Sequence, residues 1–127
     1  MVQKTKVRKG QAKFREKLLD DCGFCPFTLV NEKSLLVASH IKPWAVSSEK
    51  EKVDVKNGLM FTPTYDKLFD LGLISFTSKK ELLVSSHLSK DTIKKLGIQE
   101  GQVVKDLPLD NRRNIYLEHH RNYVFKK

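Results

Sequence analysis

The apolar positions near the start of the chain recur with helical periodicity. Phe14, Leu18 and Leu19 fall on one face, while Lys13 and its basic neighbours fall elsewhere. This pattern predicts an amphipathic helix over about residues 10–21. The glycine that soon follows supports a helix end there, because glycine is favoured just beyond the last helical turn.

A strand, a polar stretch, a second strand and a helix are predicted next. The β-prone apolar runs at 35–41 and 59–61 predict the two strands, and the polar residues 46–56 between them predict an exposed loop. Thr62 followed by proline is typical of a helix start, because proline suits the first helical position and threonine can cap it. We therefore expect a helix over about 63–71.

The remainder of the chain predicts a hairpin and two further helices. The apolar runs 73–76 and 82–85 flank a Ser-Lys-Lys turn, which is typical of a β-hairpin. Polar residues at cap positions then predict a helix from Ser89 and Asp91 to Leu96, a brief strand near 103–104 and a helix over about 111–122 capped by Asp110. This order of elements predicts a small α+β domain.

The length and composition are those of one soluble globular domain. The chain has 127 residues, of which 39% are hydrophobic and 31% charged. No run approaches the roughly 18 apolar residues of a membrane span, and the first ten residues lack the apolar stretch of a secretory signal. We therefore expect a cytoplasmic protein without a membrane partner.

Basic residues are concentrated at the two ends of the chain. The formal net charge is +9, from 24 Lys and Arg against 15 Asp and Glu. Residues 1–17 carry a net +6 and residues 111–127 a net +4, whereas 18–110 carry a net −1. This balance favours a polyanionic partner such as nucleic acid, although solvated chain ends would give the same pattern. Because apolar residues at helical spacing accompany both basic segments, we expect docked segments that contact phosphates around a near-neutral centre.

The two cysteines, Cys22 and Cys25, are too few for a disulfide framework and indicate a reducing, intracellular setting. Their spacing supplies half of a zinc site, and zinc takes four ligands. There is no second CxxC pair, and adjacent His119 and His120 are poorly spaced to complete one tetrahedral site. We expect reduced cysteines packed under the first helix rather than structural zinc, with a redox pair as the remaining alternative.

The side chains with the clearest chemistry lie in residues 38–72. His40 ends the first predicted strand, and Asn57 begins the second. Asp66 and Asp70 are four residues apart on the predicted helix, which places both carboxylates on one face about 6 Å apart at Cβ. Carboxylate and water oxygens are the ligands that Mg²⁺ prefers, and a neutral imidazole can take a proton from water near pH 7. A base beside a cation is suited to phosphodiester hydrolysis.

Five motifs follow one another along the chain: Arg8-x-Gly10-Gln11-x-x-Phe14-Arg15, Ala38-Ser39-His40-Ile41-x-Pro43-Trp44, Asp54-x-x-Asn57-Gly58-Leu59, Asp66-x-x-Phe69-Asp70-x-Gly72 and Tyr116-Leu117-x-x-His120-Arg121. Together they resemble HNH endonucleases of the ββα-metal superfamily, in the branch of restriction-type and antiviral bacterial nucleases. The resemblance implies a ββα-metal core over about 34–72 within a single domain spanning 1–127. A basic N-terminal helix at about 1–21 and the hairpin and helices of 73–127 would be added to this core.

The resemblance also implies roles for the central residues. His40 matches the general base that deprotonates the attacking water, and Asn57 matches the asparagine that braces the loop and orients the histidine. Asp66 falls where the family places a metal ligand. Asp70 coincides with a second helix ligand of colicin-type relatives, or it is a structural acid. Ser39 stands where many relatives have an aspartate or histidine ligand, so the metal would be held by the two aspartates and waters, or by Ser39 through water.

Nucleic-acid contacts are expected from five polar or basic residues: Arg8, Gln11, Arg15, Lys42 and Arg121. Residue type does not separate a phosphate contact from a guanine contact, because arginine commonly makes both. Arg121 could equally face solvent on the last helix. Trp44 is expected to form a wall of the site or part of the core rather than to stack on a base.

The function implied by the resemblance is metal-dependent cleavage of double-stranded DNA with one divalent cation, Mg²⁺ before Mn²⁺, leaving 5′-phosphate and 3′-hydroxyl ends. The alternatives are a non-cleaving DNA-binding module with a degenerate HNH fold, which Ser39 favours, and an RNA or structure-specific nuclease. One centre cuts one strand, so double-strand cleavage would need a homodimer or sequential nicks. A bacterial protein is implied, and a sensing or recognition domain could belong to a longer protein.

Overall fold

The computed structural model describes residues 10–127. Arg8 and the predicted N-terminal segment before Gly10 lie outside the described residues. The elements within this range are α1 (Gln11–Cys22), β1 (Val37–His40), α2 (Glu49–Lys52), β2 (Gly58–Phe61), α3 (Pro63–Asp70), β3 (Ile74–Phe76), β4 (Leu82–Val84), α4 (Lys90–Leu96) and α5 (Asn111–His119). A π-helical turn over His120–Val124 continues α5. The predicted α+β class and the predicted order of its main helices and strands are confirmed.

A two-stranded antiparallel sheet and one helix form the centre of the fold. In the pairing of β1 with β2, Ser39 lies opposite Leu59 and His40 opposite Gly58. Helix α3 packs against both strands, and α1 packs against β2. The approach of α1 is close, because a Cβ added at Gly58 would lie 2.6 Å from the ring of Phe14. Glycine at this position therefore lets the first helix reach the sheet.

The core continues from this centre into the second hairpin. The rings of Phe61, Phe69 and Phe76 are mutually packed, with centroids 5.3 Å apart for the first pair and 5.9 Å for the second. All three are fully buried. Because they come from β2, α3 and β3 respectively, they join the central ββα unit to the β3–β4 hairpin.

Two predictions along the chain differ from the structure. The loop predicted at 46–56 contains the short helix α2, because Ser48 and Glu51 form a reciprocal capping box at its start. The strand predicted near 103–104 is an isolated bridge between Glu81 and Val103. Ser89 caps α4 as predicted, whereas Asp91 lies in the first turn of that helix.

Arg113 is a buried cation that connects α5 to the centre of the fold. Its side chain is 2% exposed and donates from Nε to the Gly58 carbonyl oxygen at 3.1 Å and from Nη2 to Asp21 at 2.7 Å. Cys22 accepts a longer contact from the same nitrogen, at 3.4 Å. Sequence patterns assign an arginine to the surface, so this connection was not predicted. Burial of the charge is tolerated because it is paired and hydrogen-bonded.

Both cysteines are free and buried. Cys22 ends α1, and Cys25 contacts the hydroxyl of Thr62 at 3.6 Å. This is the packing expected for reduced thiols near the first helix. None of the helices in the described part of the chain has the length and hydropathy to span a bilayer.

Candidate active site

A cleft of about 400 Å³ is formed by residues of α1, β1, α3 and the loop after β1. It is lined by Gln11, Val37, Ala38, Ser39, His40, Pro43, Trp44, Ala45, Asp66 and Asp70. Five of the residues predicted for the site therefore share one cavity, although they come from three separate elements. Trp44 lies in its wall, as expected from the sequence.

Contacts with neighbouring residues orient the ring of His40. Its Nε2 atom lies 2.8 Å from the backbone carbonyl oxygen of Lys52. A carbonyl oxygen only accepts, so Nε2 carries the hydrogen, and Nδ1 is the nitrogen that can take up a proton. The ring of Phe14 stacks on the imidazole with centroids 4.0 Å apart, and Trp44 meets it edge-on at 5.6 Å. The imidazole is therefore held in one plane and one tautomer.

Asn57 is fully buried beneath the loop that connects β1 to β2. Its side-chain oxygen accepts from the Lys42 backbone amide at 2.8 Å, and its side-chain nitrogen donates to the Glu51 carbonyl oxygen at 3.1 Å. These bonds tie the two ends of the loop together. The contacts are those of a brace, and the effect of Asn57 on activity stays a prediction.

The two aspartates of α3 line the cleft, with Asp66 partly buried and Asp70 exposed. Burial raises the pKa of Asp66, a hydrogen bond with Ser39 lowers it, and the negative charge of Asp70 raises it again. A cation bound at this face would favour the charged carboxylate. In the range 10–127, no group of three or more His, Cys, Asp and Glu side chains is arranged to hold a metal. The donor set fits a hard ion that takes two carboxylates and completes its shell with waters and substrate oxygens.

Three of the predicted nucleic-acid contacts are engaged within the fold. Arg15 donates to the carbonyl oxygens of Leu36 and Lys33, both at 2.7 Å. Arg121 donates to the Phe76 carbonyl oxygen at 2.8 Å. Lys42 forms an ion pair with a glutamate of α2 at 2.9 Å. A guanidinium has five N–H donors and an ammonium has three, so these internal contacts leave donors that could reach a phosphate. Contact of the three residues with nucleic acid stays a prediction.

The sequence places His120 in one of the motifs but does not predict where its side chain lies in the fold. It is 1% exposed, lies 2.8 Å from the Ser75 hydroxyl and 2.9 Å from the Phe69 carbonyl oxygen, and stacks on the Phe69 ring. Burial lowers the pKa of His120 to about 4. Because Phe69 directly precedes Asp70, this neutral histidine anchors the end of the helix that carries both aspartates.

The central elements agree with one known family. The sequence model of the HNH endonucleases matches residues 25–77, a segment that contains β1, β2, α3 and the four residues His40, Asn57, Asp66 and Asp70. Residues 25–77 are therefore similar in sequence to the HNH endonucleases. This HNH segment supplies His40 and both aspartates of the cleft, whereas Gln11 and Phe14 come from α1 outside it. A search of curated proteins found no match to the chain.

Proposed function

We propose that this protein is a metal-dependent DNA endonuclease that hydrolyses phosphodiester bonds. The observation that carries the proposal is the fixed ring of His40, whose Nε2 donates to the Lys52 carbonyl oxygen in the same cleft as Asp66 and Asp70. An oriented imidazole beside two carboxylates can supply a general base next to a cation-binding face.

His40 would act through Nδ1. Water gives its proton to Nδ1 as its oxygen bonds to phosphorus, and the bond from phosphorus to the 3′-oxygen breaks. The products carry a 5′-phosphate and a 3′-hydroxyl after the leaving oxygen takes a proton from solvent. The Lys52 carbonyl stabilises the imidazolium that forms, because it accepts the hydrogen on Nε2. The Phe14 ring covers one face of the imidazole and limits its rotation.

Asp66 and Asp70 would hold a divalent cation, Mg²⁺ before Mn²⁺, with Ser39 in contact through water. When bound, such an ion neutralises the negative charge of the phosphate and of the leaving oxygen. The raised pKa of Asp66 supports this assignment, since a carboxylate placed beside another acid and partly buried gains from a cation.

Double-stranded DNA is the proposed substrate, because the chain carries 24 basic residues against 15 acidic ones. A role in restriction or antiviral defence, in a bacterial cytoplasm, follows from the motif resemblance. Double-strand cleavage would proceed in a homodimer or by sequential nicks, and a recognition domain could belong to a longer protein. These parts of the proposal rest on the resemblance and the charge.

A plasmid-nicking assay tests the proposal. Supercoiled DNA incubated with the protein and Mg²⁺ or Mn²⁺ should be nicked, and EDTA or His40→Ala should abolish nicking. The matched control is His87→Ala, which removes an exposed histidine outside the cleft and should leave the rate unchanged. Nicking that persists after both EDTA and His40→Ala would refute the mechanism.

The same samples separate the alternative functions. Salt-sensitive DNA binding without cleavage in any divalent metal would identify a non-cleaving HNH module. Stronger competition by RNA than by duplex DNA would identify an RNA nuclease. Sequencing of the cut ends should show 5′-phosphates.

A further inference from the structure

We propose that Glu51 is a positioning residue for His40, acting through the backbone carbonyl of the next residue, Lys52. This inference rests on the proposed function, in which His40 is the base. Glu51 does not line the cleft, so its influence would be indirect.

The carboxylate of Glu51 is a junction of three hydrogen bonds. Its Oε1 atom accepts from the Ser48 backbone amide at 2.8 Å and from Lys42 Nζ at 2.9 Å, and its Oε2 atom accepts from Lys42 Nζ at 3.1 Å. The Ser48 amide and Lys42 together lower the pKa of Glu51. The side chain is therefore charged at neutral pH and fixes α2 to the residue that follows the end of β1 by two positions.

The backbone of Glu51 is held as well. Its amide donates to the Ser48 hydroxyl at 3.1 Å, and its carbonyl accepts from the Asn57 side chain at 3.1 Å. The adjacent carbonyl is that of Lys52, which accepts from His40. The side-chain and backbone contacts of Glu51 thus fix the peptide unit that directly precedes the Lys52 carbonyl, the acceptor of the His40 hydrogen bond.

An external tether is needed at this point because α2 has only four residues. A single helical turn is unstable by itself in water. Its position is therefore set by the capping box, by Asn57 and by the ion pair between Lys42 and Glu51. Release of that ion pair would let the Lys52 carbonyl move relative to His40.

The same contacts give Lys42 a second explanation. The sequence suggested that Lys42 contacts nucleic acid, whereas its ammonium group lies against the Glu51 carboxylate. In the present proposal Lys42 supports the rate of the chemical step rather than DNA affinity. The two roles predict different kinetics and can be separated.

Nuclear magnetic resonance measures how fast the ring proton of His40 exchanges with water. In the folded protein this rate reports on the hydrogen bond of the ring rather than on the overall stability. In ¹⁵N-labelled protein, the Nε2–H proton of His40, assigned by its loss in His40→Ala, should exchange slowly with water. We expect Glu51→Ala to speed this exchange at least about tenfold while the domain stays folded. Glu49→Ala is the matched control, since Glu49 is an exposed acid of the same turn that, within residues 10–127, pairs with the Lys52 ammonium rather than with Ser48 or Lys42. Unchanged exchange in Glu51→Ala would overturn the proposal.

Nicking kinetics provide the second readout. Residues that orient a metal ligand commonly affect activity about 10–100-fold. We expect a similar effect on an oriented base, so Glu51→Ala should lower kcat by about that factor with KM changed less than about twofold. Lys42→Met should do the same and should add little to Glu51→Ala, because both break one junction. A raised KM with a normal kcat in Lys42→Met would instead assign Lys42 to DNA binding and overturn its part of the proposal.

A second variant and a second outcome separate loss of folding and loss of activity from loss of positioning. Glu51→Gln retains the size of the side chain and removes its charge, so it replaces Glu51→Ala if that variant does not fold. If the unaltered protein cuts no DNA with any divalent metal, the proposed function fails, while the exchange of the His40 proton still tests the positioning role.

Discussion

The ring of Phe14 lies flat against the ring of His40, with centroids 4.0 Å apart and planes inclined by 11°. Phe14 belongs to α1, whereas His40 belongs to the HNH segment of residues 25–77. A helix outside the family segment therefore forms one side of the candidate base. Its position is possible because the glycine opposite His40 leaves space for the Phe14 ring.

Replacement of this ring should impair the proposed reaction more than it impairs folding. Phe14→Leu keeps an apolar side chain but removes part of a buried ring, so we expect it to cost less unfolding free energy than the about 3–5 kcal/mol of a full Phe→Ala truncation. It should lower the nicking rate about tenfold, because the imidazole loses the surface that fixes its plane. Phe76→Leu, a core change away from the cleft, is the control for chemical denaturation and nicking. An equal loss of rate in both variants would contradict this role of Phe14.

Asp66 should make stability depend on pH and on divalent metal. Its pKa is raised in the folded protein, so the folded state binds the proton more tightly than the unfolded state, and stability falls as pH rises from the usual aspartate pKa through the raised one. Without metal, Asp66→Asn should therefore melt at a higher temperature than the unaltered protein at pH 7, with a smaller difference at low pH.

Metal addition should reverse this order. Mg²⁺ should raise the melting temperature of the unaltered protein, because a ligand that binds only the folded state stabilises it, and should leave Asp66→Asn unchanged. Thermal unfolding with and without EDTA measures both effects. Asp91→Asn, an exposed helix acid outside the cleft, is the control. Equal stabilisation of Asp66→Asn by Mg²⁺ would place the ion elsewhere.

His120 should make the fold sensitive to acid. Burial lowers its pKa to about 4, below its ordinary value of about 6.5. As pH falls through this window the unfolded chain takes up the proton first, so stability decreases with falling pH by up to about 3 kcal/mol. His120→Gln should lose this part of the pH dependence, and His87→Gln should retain it. Urea unfolding at pH 7, 5.5 and 4.5 gives the free energy of unfolding of the three proteins. The same change of this free energy with pH in all three would refute the assignment.

Arg113 should be required for attachment of α5 to the sheet. Arg113→Met removes the donor to the Gly58 carbonyl and the partner of Asp21, and an unsatisfied buried group costs about 1–3 kcal/mol. We expect a loss of this size in chemical denaturation. Arg112→Met, which removes a neighbouring arginine that pairs with Asp54 from an exposed position, should cost less than about 1 kcal/mol. A larger loss of unfolding free energy in Arg112→Met than in Arg113→Met would contradict this role of Arg113.

Much of the fold could be predicted because its signals are local. The helix over 63–71 was predicted from proline at its first position, and the hairpin from two apolar runs around a polar turn, and both exist as α3 and β3–β4. The short helix α2 was missed because its capping box lies in a strongly polar stretch without an apolar face. It is held further by contacts with Lys42 and Asn57, which lie outside the helix.

The sequence by itself determined the element types, the four-residue spacing of Asp66 and Asp70, the uneven charge and the order of the HNH motifs, because all of these depend on neighbouring residues. Only the tertiary structure decided that the Lys52 carbonyl selects the protonated nitrogen of His40 and that Phe14 covers its ring. It also decided that Arg113 is buried. These contacts join segments far apart in sequence, and their geometry depends on how helices and loops pack around the sheet rather than on any local spacing.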